Sequence, residues 1–193
     1  MKSFITGVAL FLIAGLTPMA FAEPEPVIPF EEGLSALHIS ATDEIAAGEA
    51  KEQYFPDTAT AVGFKYFLDR KSAVEGEASI IFMNEEEVEE QQEGIMISLC
   101  GAYIQYIDMD RVSPYFKYGG KISYLMGDAY ENYNDDDHFF VEARGGFGIE
   151  YFVTREFSIG VEALAALQVA PTVVFNSIIP SVRASFYFDD LIP

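Results

Sequence analysis

The sequence contains no tryptophan and only one cysteine, Cys100, among its 193 residues. A single cysteine cannot form an intramolecular disulfide, so the fold must be stable without covalent cross-links. We interpret Cys100 as a small, half-buried filler, with a reactive thiol as the alternative. After the N-terminal segment, no run approaches the roughly 18 consecutive apolar residues of a transmembrane helix. Any membrane crossing would therefore have to use strands.

Basic residues are also scarce, because 11 Lys and Arg stand against 31 Asp and Glu. Binding to phosphate backbones requires cations, so this balance argues against nucleic acid as a partner. The acids concentrate in residues 42–57, 84–93 and 126–137, where Lys51 is the only cation. Charge runs of this kind usually form solvated loops. Binding of divalent cations by these segments is the alternative that we leave open.

The N-terminus has the pattern of a secretory signal peptide. Lys2 precedes an apolar stretch over residues 4–16, a proline at position 18 and the small-residue triplet Ala20-Phe21-Ala22. We predict a signal peptide over residues 1–22, whose removal leaves 193 − 22 = 171 residues, enough for one domain. Residues 23–32 form a proline-rich acidic lead, residues 33–188 the folded domain, and residues 189–193 a C-terminal tail.

Residues 138–169 contain two long stretches in which apolar and polar side chains alternate. A period of two is typical of a strand with one apolar face. Each stretch exceeds the roughly 9–11 residues that a tilted strand needs to cross a bilayer, and only a tight turn around Arg155 separates them. The pair is therefore predicted to be a membrane-spanning hairpin.

The same pattern predicts eight strands in the whole chain, although both faces of the fourth are largely apolar and cannot be assigned. Long and short connections alternate, as in barrels with long loops outside and tight turns in the periplasm. The predicted fold is all-β, an eight-stranded antiparallel up-and-down transmembrane β-barrel. Its strands cover residues 33–41, 58–68, 72–83, 94–107, 112–125, 138–152, 157–169 and 177–188.

A lipocalin-like soluble barrel would show the same alternation with apolar side chains inside. The polar faces of this chain, however, carry five cations and five anions, despite the acid excess elsewhere. Enclosed charges must pair, since an unpaired ion out of water costs several kcal/mol. We therefore predict that the polar faces line the lumen as a structural charge network. Its members are Lys65, Glu75, Glu77, Lys117, Lys121, Glu142, Arg144, Glu150, Glu162 and Arg183.

Three short patterns carry a family resemblance. They are Gly146-x-Gly148-x-Glu150-Tyr151, Ser158-x-Gly160-x-Glu162 and the terminal Phe186-Tyr187-Phe188. Together they resemble the small, porin-like outer-membrane β-barrel domains of the OmpX and OmpA type. The resemblance implies the outer membrane of a Gram-negative envelope as location, after removal of the signal peptide. It also implies membrane lipid and lipopolysaccharide as surroundings, the barrel-assembly machinery as a partner during biogenesis, and a monomer.

No motif of catalysis, cofactor binding or metal binding accompanies this pattern. His38 and Ser40 share a strand face that Glu75 or Glu77 could approach, but a hydrolase needs an ordered nucleophile, base and acid. We interpret His38 as a hydrogen-bonding member of the lumen; His138 lacks a recognised metal-ligand spacing. The expected function is therefore a non-enzymatic outer-membrane barrel that serves envelope integrity or surface interaction. The alternatives are a lipid-modifying enzyme of the lipid A deacylase kind and a soluble periplasmic lipocalin-like binding barrel.

Overall fold

The computed structural model describes residues 32–42, 59–85, 92–127, 139–171 and 173–188. The predicted signal peptide, most of the lead segment, the centres of the three acidic segments, His138 and the tail lie outside these ranges. Within the described ranges, no helix is long and apolar enough to span a membrane.

The described residues form eight strands in one closed barrel. Each strand pairs antiparallel with the next, and the last pairs antiparallel with the first, which confirms the predicted fold class. The strands are β1 Ser35–Thr42, β2 Ala59–Phe67, β3 Ser72–Glu85, β4 Gln92–Tyr106, β5 Val112–Gly127, β6 Phe139–Phe152, β7 Phe157–Ala170 and β8 Val174–Phe188.

Three short turns connect neighbouring strands at one end of the barrel, which we call the turn end. We call the opposite end the loop end. The turns cover residues 68–71, 107–111 and 153–156. In the first turn, the Asp69 carboxylate accepts hydrogen bonds from the backbone N–H groups of Lys71 at 2.7 Å and Ser72 at 2.8 Å. Hydrogen bonds from the Ser72 side chain and from these N–H groups hold the pKa of Asp69 below its ordinary value.

Alternate residues of each strand point inward and outward, and the inward face is the polar one. Leu99, Val62 and Phe116 are 62%, 58% and 51% exposed on the outer face, whereas Lys65 and Arg183 are 0% and 1% exposed inside. This orientation is the reverse of a lipocalin-like barrel, whose apolar face lines the interior. The period of two therefore placed the faces correctly wherever one face was clearly polar.

Strand β4 carries apolar side chains on both faces, which is why its orientation could not be assigned from sequence. Ile97 and Leu99 lie on the outer surface, while Met96 and Ile104 are buried in the lumen. The lumen thus contains apolar layers near both of its ends, and a strand that spans these layers loses its polar signal.

Several strands extend further toward the loop end than the sequence predicted. The predicted loop over residues 84–93 is partly wrong, because Asn84 pairs with Glu93 and Glu85 with Gln92 in the β3–β4 ladder. The predicted start of the last strand at residue 177 is likewise wrong, since β8 begins at Val174. Main-chain N–H and C=O groups make the ladder whatever the side-chain charge, so the acidic composition of residues 84–93 did not mark the end of β3.

Candidate functional site

The centre of the lumen is built around Arg183, which β8 directs inward. Its guanidinium contacts the carboxylates of Glu75 from β3 and Glu162 from β7, and donates to Tyr115 Oη at 2.8 Å. Lys117 Nζ lies 2.5 Å from Glu75 Oε1 and 3.2 Å from Glu162 Oε2. We call these five residues the Arg183 cluster. It ties four strands together through two cations shared by two carboxylates.

A second group surrounds Glu150 closer to the turn end. Lys65 Nζ lies 3.0 Å from Glu150 Oε2, which also accepts a hydrogen bond from Tyr106 Oη at 2.6 Å. Ser158 donates to Oε1 at 2.6 Å, and Tyr187 Oη donates to the same atom. In this Glu150 cluster, one buried carboxylate has one cation and three hydroxyl donors as partners. A buried charge is tolerated only with such complete pairing.

Aromatic rings close the lumen at the turn end. Phe67 stacks on Tyr106 with ring centroids 5.6 Å apart, Tyr106 lies 5.2 Å from Tyr115, and Phe152 lies 5.5 Å from Tyr187. All five rings are buried, and the three tyrosines also donate their hydroxyl protons to the carboxylates above. This aromatic floor packs directly against the two charge clusters at the turn end.

Two inward glycines make room for these side chains. A Cβ atom at Gly148 would overlap the ring and hydroxyl of Tyr115, and a Cβ atom at Gly63 would overlap the His38 ring. In an eight-stranded barrel the interior is only wide enough for the side chains that fill it. A side chain at either position would therefore require the Tyr115 or His38 ring to move.

The loop-end half of the lumen is built differently. Arg144 pairs with Glu142 two residues earlier on the same strand, with Nε at 2.7 Å and Nη2 at 2.6 Å from Oε2. Lys121 of β5 is the cross-strand neighbour of Glu142. A cavity of about 20 Å³ lies between Arg144 and the Arg183 cluster, beside the half-buried Cys100. That volume is sufficient for a water molecule.

His38, Ser40 and Glu77 meet near the centre of the lumen, but not in the order that a hydrolase needs. His38 Nε2 lies 2.9 Å from Glu77 Oε1, and Ser40 Oγ donates to that same oxygen at 3.2 Å. Both side chains therefore converge on the carboxylate, and no Ser–His hydrogen bond occurs in the described part of the chain. A nucleophilic serine requires a direct contact with its base.

The same region contains three groups that could ligate a metal ion. Ligand atoms of His38, Glu75 and Glu77 all lie within 4.8 Å of one another. Lys117 and Arg183 already contact Glu75, however, and Lys117 Nζ also lies 3.8 Å from Glu77 Oε2. Two permanent cations at the carboxylates disfavour a third, so the donor set suits an ion-pair network better than a metal centre.

The structure places all ten predicted network residues on the inner face of the wall, but divides them among separate groups. Seven belong to the centre and turn side of the lumen, and Lys121, Glu142 and Arg144 form the loop-end group. The prediction missed the hydroxyl donors Tyr106, Tyr115, Ser158 and Tyr187. A usable signal was present: tyrosines on the polar face near strand ends at the turn side have no reason to point inward unless a buried acceptor receives their hydroxyl protons.

Comparisons with known proteins identify the fold. No family model matches the sequence, and no curated protein matches it at a significant level. The structure is similar to the N-terminal β-barrel domain of Pseudomonas aeruginosa OprF, with a TM-score of 0.53 at 12% identity over 82% of this chain and 100% of that one. It is similar also to the outer membrane protein OprG of P. aeruginosa, with a TM-score of 0.53 at 14% identity over 83% of this chain and 98% of that one.

Neisserial surface protein A gives the same level of likeness, with a TM-score of 0.53 at 13% identity over 81% of this chain and the whole of that one. At these identities the likeness establishes the fold. The chain therefore has the eight-stranded barrel fold of the small outer-membrane proteins, as the sequence resemblance predicted.

Proposed function

We propose that this protein is a non-enzymatic β-barrel of the Gram-negative outer membrane, which serves envelope integrity or surface interaction. The main support for the proposal is that apolar side chains face outward and charged side chains face inward, the reverse of a soluble barrel. Large apolar side chains cover the outer face, while Lys65, Arg183 and Glu150 are almost completely buried inside. Such an outer surface suits hydrocarbon, and the closed barrel leaves no unpaired strand edge around its wall.

The packed lumen supports a structural rather than a conducting role. The aromatic floor and the two charge clusters fill the turn side and the centre of the interior, and the cavity described above has a volume of about 20 Å³. An eight-stranded barrel has little interior space beyond that of its side chains. We infer that solute conduction is slight and that any partner is bound outside the lumen.

Fractionation provides the first test. We expect the protein in the outer-membrane fraction, soluble only with detergent, and we expect its folded and heated forms to migrate differently on gels. Recovery in the soluble periplasmic fraction without detergent would contradict the proposal and favour a ligand-binding barrel instead.

A second experiment separates the structural role from an enzymatic one. In a strain that lacks the protein, mass spectrometry should find the acyl composition of lipid A unchanged. The sensitivity of the cells to detergent, or their binding to surface partners, should change. A shift in lipid A mass that is restored by the wild-type protein but not by His38→Ala would support the lipid-modifying alternative. A control variant, Ser98→Ala, removes another buried lumen hydroxyl and should restore the mass like wild type under either reading.

A further inference from the structure

One methionine packs against the aromatic floor from the turn end of the barrel. Met109 lies in the middle of the second turn, is partly buried, and packs against the buried cluster that contains the five rings of the floor. A methionine side chain is flexible and polarisable, and its sulfur makes favourable contacts with aromatic rings. Met109 therefore covers part of the floor, while part of its own surface stays exposed.

Side chains of the second turn hold the backbone around this methionine. The Asp108 carboxylate accepts a hydrogen bond from Met109 N–H at 2.9 Å. On the other side, Ser113 Oγ accepts Asp110 N–H at 3.2 Å and donates to the Asp110 carbonyl at 2.7 Å. The Asp110 carboxylate also accepts Arg111 N–H at 2.7 Å. The backbone is thus fixed on both sides of Met109, so the turn itself defines how the side chain meets the floor.

The strands that leave this turn carry the tyrosines that link the floor to the charge clusters. Tyr106 of β4 donates to Glu150 at 2.6 Å, and Tyr115 of β5 donates to Glu162 at 2.6 Å. Their rings lie 5.2 Å apart, within the cluster against which Met109 packs. Met109 therefore supports the same layer of rings that supplies hydroxyl donors to the buried carboxylates.

The two other methionines whose side chains the structure describes have different surroundings. Met96 is 1% exposed and lies in the lumen, whereas Met126 is 39% exposed on the outer apolar face. Of these three residues, Met109 is the one that combines partial exposure with packing against the floor. A polar modification of its sulfur would therefore be felt by the floor directly.

We propose that Met109 is a reversible oxidation site whose sulfoxide loosens the aromatic floor. The oxidant is hydrogen peroxide. The sulfur lone pair attacks one peroxide oxygen, an S–O bond forms as the O–O bond breaks, and the departing hydroxide takes the proton of the transferred oxygen and leaves as water. Sulfur is oxidised by two electrons and the peroxide is reduced. The sulfoxide is polar and disrupts apolar packing, and sulfoxide reductases restore the thioether.

Peroxide treatment of the mature barrel in detergent micelles, followed by peptide mapping and urea titration, tests this site. We expect Met109 to be converted to the sulfoxide before the buried Met96. As Met109 is converted, the unfolding equilibrium constant should rise by about tenfold, because a polar oxygen is placed against apolar rings. Treatment with a methionine sulfoxide reductase should return the urea midpoint to its original value.

Three variants assign the effect to one sulfur. Met109→Leu keeps an apolar side chain of similar volume, so its urea midpoint should not respond to peroxide. Met126→Leu is the matched control, which removes a methionine from the outer face and should lose stability on oxidation as wild type does. Met109→Gln places a polar amide at the same position and should show a lower midpoint without any oxidant.

A wild-type midpoint that stays unchanged after mapping shows complete oxidation of Met109 would overturn this inference, as would an equal loss in Met109→Leu. Conversion of Met96 ahead of Met109 would also contradict it, and so would a midpoint that stays low once Met109 is reduced again. If Met109→Leu does not fold, the time course of the wild type decides the question. Oxidation of Met109 and loss of stability must then proceed at the same rate, and different rates would refute the site.

Discussion

The centre of the lumen and its loop end contain the same residue types but organise them differently. Arg183 contacts carboxylates from two other strands and is 1% exposed, whereas Arg144 pairs with Glu142 on its own strand and its side chain is 11% exposed. In the centre, the charged side chains of the Arg183 cluster are buried, so each charge is stabilised only by the other members of the cluster. At the loop end, Arg144 has its carboxylate partner on its own strand and keeps part of its side chain exposed. The comparison indicates that the degree of desolvation, rather than the number of charges, decides how much an ion pair matters.

The largest effect should follow from removing the central cation. Arg183→Met retains an apolar stem but leaves Glu75 and Glu162 with only Lys117 as a cation between them. We expect the free energy of unfolding, measured by urea titration in micelles, to fall by ~3–5 kcal/mol. The control Arg70→Met, at an exposed turn position, should remain within about 0.5 kcal/mol of wild type. Equal stability of Arg183→Met and wild type would mean that the cluster does not hold the strands together.

A smaller loss is expected from the Glu150 cluster, where a single hydroxyl can be deleted. Tyr106→Phe keeps the ring in the aromatic floor but removes the 2.6 Å hydrogen bond to Glu150. Hydrogen bonds to buried charges contribute ~1.5–3 kcal/mol, and we expect a loss in that range by urea titration. Tyr103→Phe is a matched control on the outer side of the same strand, where the hydroxyl donates to the neutral Gln105 at 3.1 Å. A loss in the control as large as in Tyr106→Phe would contradict the distinction between the two faces.

The loop-end pair should be the weakest of the three ionic sites. Arg144→Ala removes a partner of Glu142, but Lys121 remains its neighbour in the β5–β6 ladder, and the Arg144 side chain is itself 11% exposed. We expect a decrease of about 1 kcal/mol. If Arg144→Ala lowered the free energy of unfolding as much as Arg183→Met, the two ion-pair sites would be energetically alike, contrary to the distinction drawn here.

The smallest effect concerns acid stability outside the lumen. Hydrogen bonds from Ser72 and Lys71 lower the pKa of Asp69 in the folded state, so its contribution is present above the unfolded pKa and is lost as the pH falls through the folded pKa. Asp69→Asn should therefore be slightly less stable than wild type at neutral pH, and the difference between their urea midpoints should vanish on acidification. A difference that persists unchanged in acid would exclude the carboxylate charge as its source.

The sequence was sufficient for the barrel, its strand number and the inward face of most strands, because a half-buried strand records its orientation at every second residue. It was insufficient for β4, where Met96 and Ile104 are apolar inside and Leu99 is apolar outside. The end of β3 and the start of β8 were also misplaced, since ladder pairing does not depend on side-chain type.

The pairing within the charge network is a second feature that could not be predicted from the sequence. Equal numbers of cations and anions on the polar faces indicated that these side chains are enclosed. Which carboxylate each cation contacts depends on the stagger of the strands around the barrel. The stagger decides contacts between residues more than 100 positions apart, such as Arg183 and Glu75, and strand patterns do not reveal it. The tyrosine donors were missed because the predicted network included only acidic and basic side chains, although a tyrosine hydroxyl on a polar face is also part of the polar interior.

The absence of native tryptophan allows the central claim, that the apolar face meets hydrocarbon, to be measured with one probe. Leu99→Trp places a single indole on the outer face of β4, where Leu99 is 62% exposed, and Asp108→Trp places one in an exposed turn. In vesicles with brominated acyl chains, the account predicts strong quenching and blue-shifted emission for Leu99→Trp, and weak quenching for Asp108→Trp. Water-like emission of Leu99→Trp that is quenched by iodide in solution and not by brominated lipid would contradict it.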